Sequence, residues 1–321
     1  VGAFCGSSDY GNFVYIKNTG EDLIMKIGLF DIDSKQHNLA LMKLSAYHKQ
    51  KGDETELYSP LFTKTYDRIY VSKIFTEFHI NECYIPENFY RAGGSGFDLE
   101  TKLPRETEHI MPDYFLYNLD YSLGFTTRGC IRNCKFCIVP EKEGKIREHA
   151  EVEEFLNPKS NIVVLLDNNF LALPSHIKKL QKYIDKSWRM DFNQGLDARL
   201  VNEENAKLLA KIKHKETIRF AWDEIKDEGE IIRGLDLIIK AGIKPRNITV
   251  YVLIGFDTTF EEDLYRIKRL RDIKDERGFI KAYVMNYNNT LKSRKYKDFM
   301  RWVNNPWIFK SCTWEEYKKW K

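Results

Sequence analysis

The sequence predicts an α/β protein, a partial (β/α)6 TIM-like barrel preceded by a small Rossmann-like α/β domain. Three observations predict it. From Tyr121 onward, short β-forming runs alternate with helix-spaced apolar residues, the pattern of a parallel sheet covered by helices. A strand, a helix and two further strand-like runs stand ahead of that series. Polar residues follow every strand of the longer series, at the end where such barrels carry their chemistry. An open doubly wound sheet is the competing arrangement.

Residues 1–24 hold Gly2, Gly6, Gly11 and Gly20 without sustained periodicity and read as an N-terminal extension, loop or weak strand. Residues 25–33 read as a first buried strand ending in acidic residues, and Met25 is a candidate natural start. Residues 38–50 place Leu39, Met42, Ala46 and Tyr47 at helical spacing, with Gly52 as the stop. Strands are expected over 55–58 and 68–72, a tight turn at Gly93-Gly94-Ser95-Gly96, and a linker over 98–118 with Pro104 and Pro112. Residues 25–118 thus form the first domain with its linker. The barrel, 119–288, is expected to place strands at 121–125, 161–166, 189–192, 217–221, 247–254 and 279–284. Helices are expected at 175–186, 202–213, 228–241 and 260–274, the second opened by Asn202 as N-cap with Glu203 and Glu204 in its first turn. Residues 289–321 form a basic, aromatic C-terminal tail.

With 321 residues, 43% hydrophobic and 31% charged, the chain can bury a full core, which excludes global disorder. No apolar run approaches the ~18 residues of a membrane span, and no secretion signal opens the chain, so no membrane partner and a cytoplasmic location are expected. A net charge of +4 is too near balance to imply a polyanion partner.

Of six cysteines, Cys5, Cys83 and Cys312 are scattered, whereas Cys130, Cys134 and Cys137 crowd into C-x3-C-x2-C. That is metal-ligand spacing rather than a disulfide framework. Three thiolates on one loop can hold three corners of a cubane and leave the fourth iron open. A structural zinc site ordinarily takes four protein ligands, and His149, twelve residues beyond Cys137, lies outside finger spacing.

The segment Thr126-Thr-Arg-Gly-Cys130 through Cys137, with aromatic Phe136 before the last cysteine, resembles the signature of radical S-adenosylmethionine (SAM) enzymes. The resemblance spans roughly Tyr121 to Asn286. It implies a [4Fe–4S] cluster on Cys130, Cys134 and Cys137 and SAM as cofactor, chelating the fourth iron. It also implies reductive cleavage to a 5′-deoxyadenosyl radical and an electron donor of the flavodoxin or ferredoxin type. By the same resemblance Asp167 and Asn168, in Asp167-Asn168-Asn169, stand where the family holds the SAM amino group. Asn193, Gln194 and Arg199 stand where it contacts ribose and carboxylate, and Gly255 stands on the strand beside the adenine. Trp222 and Glu224 face the barrel mouth or, for the tryptophan, the core. The residue acting on substrate is left unassigned, as is the step after the radical: methyl or methylthio transfer, rearrangement or hydrogen abstraction.

A Rossmann-like domain before such a barrel resembles the cobalamin-dependent branch of that family, with Gly93-Gly94-Ser95-Gly96 where a cofactor tail would approach. This chain departs from the ligating Asp-x-His-x-x-Gly pattern: Asp33 and His37 have the wrong spacing. The other reading is a domain that supports substrate binding or a partner contact.

The tail carries nine basic and three acidic residues and Trp302, Trp307, Trp314 and Trp320. Such interleaving suits a nucleic-acid or phosphate-bearing substrate. It equally suits aromatics packed across the barrel with lysines solvated. The rival function is a non-catalytic nucleic-acid-binding protein whose cysteines hold a structural zinc or Fe–S site.

Overall fold

The structure, a computed structural model, describes residues 23–34 and 37–319. The expectations for residues 1–22, including Cys5, and for Trp320 lie outside the described residues. The chain is a mixed α/β protein with parallel sheets.

The N-terminal sheet contains β1 (Lys26–Asp31), β2 (Glu54–Leu57), β3 (Arg68–Ser72) and β4 (Arg91–Gly93), all parallel, in the order β2-β1-β3-β4. Helix α1 (Leu39–Gln50) crosses from β1 to β2, with Asn38 accepting the Leu41 N–H at 3.2 Å as its N-cap. This helix is buried on two sides. Leu41 packs with Ile27, Leu29 and Tyr70 of the first sheet, while Leu39 and Met42 pack with Tyr114, Leu123 and Val164 of the following unit. One helix therefore serves two sheets.

The stretch 98–118 is correspondingly not a passive linker. Tyr114 is buried, its hydroxyl donating to the Phe155 carbonyl and accepting the Leu123 N–H at 3.1 Å. The Asp113 carboxylate takes hydrogen bonds from Ser45 (2.6 Å) and Lys49 (2.7 Å) of α1.

Beyond it, β5 (Ser122–Gly124), β6 (Ile162–Leu165) and β7 (Arg189–Phe192) pair in parallel in chain order. A second parallel sheet follows, β8 (Ile218–Ala221), β9 (Ile248–Ile254) and β10 (Lys281–Asn286), also in chain order. A single parallel bridge, Leu196 to Phe220, links the two. Helices α2 (His176–Asp185), α3 (Glu203–Lys211), α4 (Glu228–Lys240) and α5 (Phe260–Asp272) occupy the crossovers. Asn202 caps α3 as expected, in a reciprocal pair with Asn205 at 2.9 Å in each direction. Most bounds lie one or two residues from expectation, and at two of them a strand pairing sets the difference. The helix expected over 202–213 stops at Lys211 because Lys213 and His214 pair with the start of β7. The last strand begins at Lys281, since Gly278–Phe279 instead forms a small antiparallel pair with Lys274–Asp275.

The second sheet is two-faced. Val250, Val252 and Ile254 of β9 and Ala282 and Val284 of β10 are buried under the helices. Thr249, Tyr251, Lys281, Tyr283 and Met285 alternate with them on a more open face.

The tail forms α6 (Arg294–Asn304), α7 (Pro306–Ser311) and α8 (Trp314–Lys319). Trp302 and Trp314 are buried with Phe299, Phe309 and Cys312 in the same core as the strands. The Trp302 indole donates to the Cys312 carbonyl at 3.1 Å. Of the two roles open for these aromatics, packing is the one adopted at these positions; Trp307 alone of the described tail tryptophans is exposed. Among the described residues, no helix is long and apolar enough to cross a membrane.

Candidate functional site

The cysteines sit on a loop hung from the carboxyl end of β5. Thr127–Arg128 pairs antiparallel with Arg147–Glu148, closing its base. Glu143 clasps that base. One oxygen pairs with Arg128 at 3.0 Å, and the other accepts the Gly129 N–H at 2.9 Å and the Asn168 amide at 2.8 Å. Gly129 has φ +81°, and a Cβ there would run into the carbonyls of Gly144 and Lys145. Asp167, at the end of β6, is buried and accepts the N–H groups of Thr126 (2.7 Å) and Thr127 (3.0 Å) and the Thr126 hydroxyl (2.5 Å). Its carboxylate is therefore spent on aiming the loop. Burial pushes it up to about 6, against the pull of those three donors.

None of the three thiols is in a disulfide, and each is half-buried. Cys130 Sγ accepts the Arg132 N–H at 3.3 Å and the Asn169 side-chain amide at 3.4 Å. Burial pushes the Cys134 thiol up to about 11; Arg199 opposes this, while Cys137 and Cys130 add to it. Burial also raises Cys137, with Cys130 again contributing. The thiols are thus near enough to feel one another's charge. Among the described residues, no three His, Cys, Asp or Glu groups converge as ligands of one ion. His149 does not join them: its Nε2 lies 3.0 Å from Glu108 and its ring packs on His109.

Residues beyond β6, β7 and β9 touch this loop at the carboxyl ends of the strands, and residues after β8 and β10 lie behind them. Asn169 follows β6, and its Oδ1 is buried beside Cys130 without a hydrogen-bond partner among the described residues. Asp197, beyond β7, gathers Arg199 at 2.7 Å, Arg132 at 3.0 Å and the Asn169 amide at 3.4 Å. Burial opposes ionisation of Asp197, but the Arg199 and Arg132 guanidiniums outweigh it and hold the carboxyl below the usual range. Asp223, after β8, accepts the Leu253 N–H at 3.1 Å, and its charge reaches Cys134 and Cys137. Phe136 meets Phe256, after β9, edge-on at 5.5 Å, and Phe256 meets Tyr287, after β10, at 4.9 Å.

The expected site residues divide. Phe136, Asp167 and Asn168 belong to the loop and its anchors. Arg199 is committed to Asp197 and, at 2.5 Å, to Asp227. Gly255 turns toward Leu291, which a Cβ would meet at 2.8 Å. Asn193 and Gln194 lie elsewhere, lining a cavity on the open face of the second sheet. Trp222 is core, its indole donating to the Glu224 carbonyl at 3.0 Å. Asn169, Glu143 and Asp197 were not singled out by the motif. Only Asn169 carried a signal, as the third member of the polar triplet after β6.

The first sheet reverses direction of growth between β1 and β3, where open α/β sheets take their ligands. Here the chain fills that crevice itself. Asp33 accepts the N–H groups of Ile74 (2.7 Å) and Phe75 (2.9 Å), Asn38 donates to Ser72 at 2.8 Å, and Asn81 donates to the Ile32 carbonyl at 2.8 Å. A Cβ on Gly94 or Gly96 would strike the carbonyls of Lys73 and Phe75, so these glycines serve the chain's own turn. His37 is held by the Tyr121 hydroxyl at 2.7 Å and packs on Tyr117. Among the described residues, these groups are engaged with the chain itself.

No family model matches the chain, and no curated protein matches it.

Proposed function

We propose that this chain is a radical SAM enzyme, its six parallel strands β5 to β10 forming a partial (β/α)6 barrel with a [4Fe–4S] cluster and SAM at the mouth. One observation carries the reading: the loop bearing Cys130, Cys134 and Cys137 meets side chains that follow β6, β7 and β9, at the end where barrels of this kind do their chemistry. Bound there, the cluster would pass one electron from an external donor to SAM, the chemistry that would split it into methionine and a 5′-deoxyadenosyl radical.

The chain's own residues hold and orient. Asp167 and Glu143 fix the two ends of the loop, so the thiols start from one preset arrangement. The N–H groups of Arg132 and Asn169 point at the Cys130 sulfur and fix its position. Asn169, whose amide nitrogen faces Cys130, offers in its Oδ1 an unpartnered acceptor suited to an N–H of the SAM amino group. Asp197, with Arg132 and Arg199, forms a charged rim on the same side. The substrate decides which step follows the radical.

Alanine replacements, made one at a time and reconstituted anaerobically, test the ligand set. Loss of iron, sulfide and visible absorption is expected for Cys130→Ala, Cys134→Ala and Cys137→Ala, and retention for Cys83→Ala and Cys312→Ala. A full cluster in any of the first three variants, or its loss in Cys83→Ala, would sink the assignment.

A further inference from the structure

The second sheet carries a pattern that the cluster site does not use. Parallel strands buried on both faces are near-continuously apolar, but β9 and β10 alternate, and their open face lines a cavity of about 790 Å3. That is ample for a drug-sized ligand. Its walls fall into rows set by strand register. Arg219, Thr249 and Lys281 align across β8, β9 and β10, and Tyr251 aligns with Tyr283 two residues nearer the carboxyl ends. The rows are about 7 Å apart.

In the first row Arg219 is already neutralised by Asp191 and by Glu216 at 2.8 Å, whereas no carboxylate pairs with Lys281 among the described residues. In the second row Tyr283 is 46% exposed, and its ring lies 6.0 Å from that of Tyr251 in a T-shaped pair. Three amide side chains, Asn193, Gln194 and Asn247, also line the cavity, and each offers both a donor and an acceptor.

We propose that this cavity binds the substrate and that the substrate is a nucleotide. Its base stacks on Tyr283, the amides of Asn193 and Gln194 meet the edge of the base, and its phosphate pairs with Lys281, one sugar's length away. The ligand's role as substrate rests on the radical SAM reading; its binding does not. The same chemistry is presented by a free nucleotide and by a nucleotide within a single strand.

Titrations on iron-free protein, followed by tryptophan and tyrosine fluorescence and by calorimetry, separate these points. The probes are the ribonucleoside 5′-monophosphates, the matching nucleosides, inorganic phosphate and single-stranded RNA oligonucleotides. At least one monophosphate or oligonucleotide is expected to bind more tightly than nucleoside or phosphate alone. Tyr283→Ala should weaken it about ten-fold, and Lys281→Glu should weaken it by about ten-fold or more. Lys178→Glu, on the outer helix α2, should leave binding unchanged, as should melting temperature in Lys281→Glu. Binding of monophosphates assigns a free nucleotide, and binding of oligonucleotides only assigns a nucleic acid. No binding by any of these probes, or binding indifferent to both variants, overturns the proposal. Because no iron is present, that failure is distinct from a failure to cleave SAM.

Discussion

Cys134 and Asn169 show how single residues set the terms of the site. A thiol must lose its proton to ligate a metal, so a thiol pushed up to about 11 by burial makes loading a competition with protons. Iron uptake should therefore rise with pH between about 7 and 9, measured as iron bound per chain under fixed iron and sulfide. A flat profile would contradict this. Asn169 touches Cys130 yet has an acceptor with no partner. Asn169→Ala should keep its iron but weaken SAM binding about ten-fold, the cost of one buried hydrogen bond to a charged group. Unchanged SAM affinity would assign Asn169 to loop packing alone. The motif spacing made the three thiols legible, because ligand spacing survives in the linear chain. Glu143 and Asp197 were not legible: each is one acid among many, and only folding brings Arg128, Gly129 and Asn168 to the first and Arg132 and Arg199 to the second.

Among the elements, short runs buried at nearly every residue are legible in the sequence. The strand at 68–72 and the strand at 189–192 appear with the expected bounds, and Asn202 caps its helix as its neighbours predicted. Elements that answer to two neighbours were read less well. Helix α1 hides its dual role because Lys43, Ser45 and His48 are buried along with its apolar residues. The tail was ambiguous because basic and aromatic residues alternate whether the aromatics meet a ligand or a core. Its aromatic cluster now gives a direct expectation. Trp302→Ala should destabilise the protein by about 3–5 kcal/mol, the usual cost of deleting a buried large aromatic, measured by urea unfolding. A change under about 1 kcal/mol, the scale of surface substitutions, would mean that α6 packs loosely. A chain ending near Asn288 should accordingly fail to fold rather than lose substrate turnover alone.

Across the whole molecule, Glu108 joins the two units. It lies 3.3 Å from Lys43 of α1, 2.8 Å from Arg128 at the base of the cysteine loop and 3.0 Å from His149. Burial favours its neutral form, but His149, Lys43 and Arg128 together hold the carboxyl well below the usual range. The folded value lies under the unfolded one, so this contribution is complete above the unfolded carboxylate pKa of about 4.3 and fades as pH falls below it. Glu108→Gln leaves the buried Lys43 without its partner and should cost about 3–5 kcal/mol at neutral pH. The difference between wild type and variant should shrink in acid. A pH-independent difference would remove the charge from the explanation.

The central claim is that the cysteine loop at the strand ends carries an open-cornered cluster that cleaves SAM. Anaerobically reconstituted protein, given dithionite and SAM, should release 5′-deoxyadenosine and methionine in equal amounts, slowly and without added substrate. A fully iron-loaded sample that yields neither product, or a preparation holding one zinc per chain in place of iron, would contradict it.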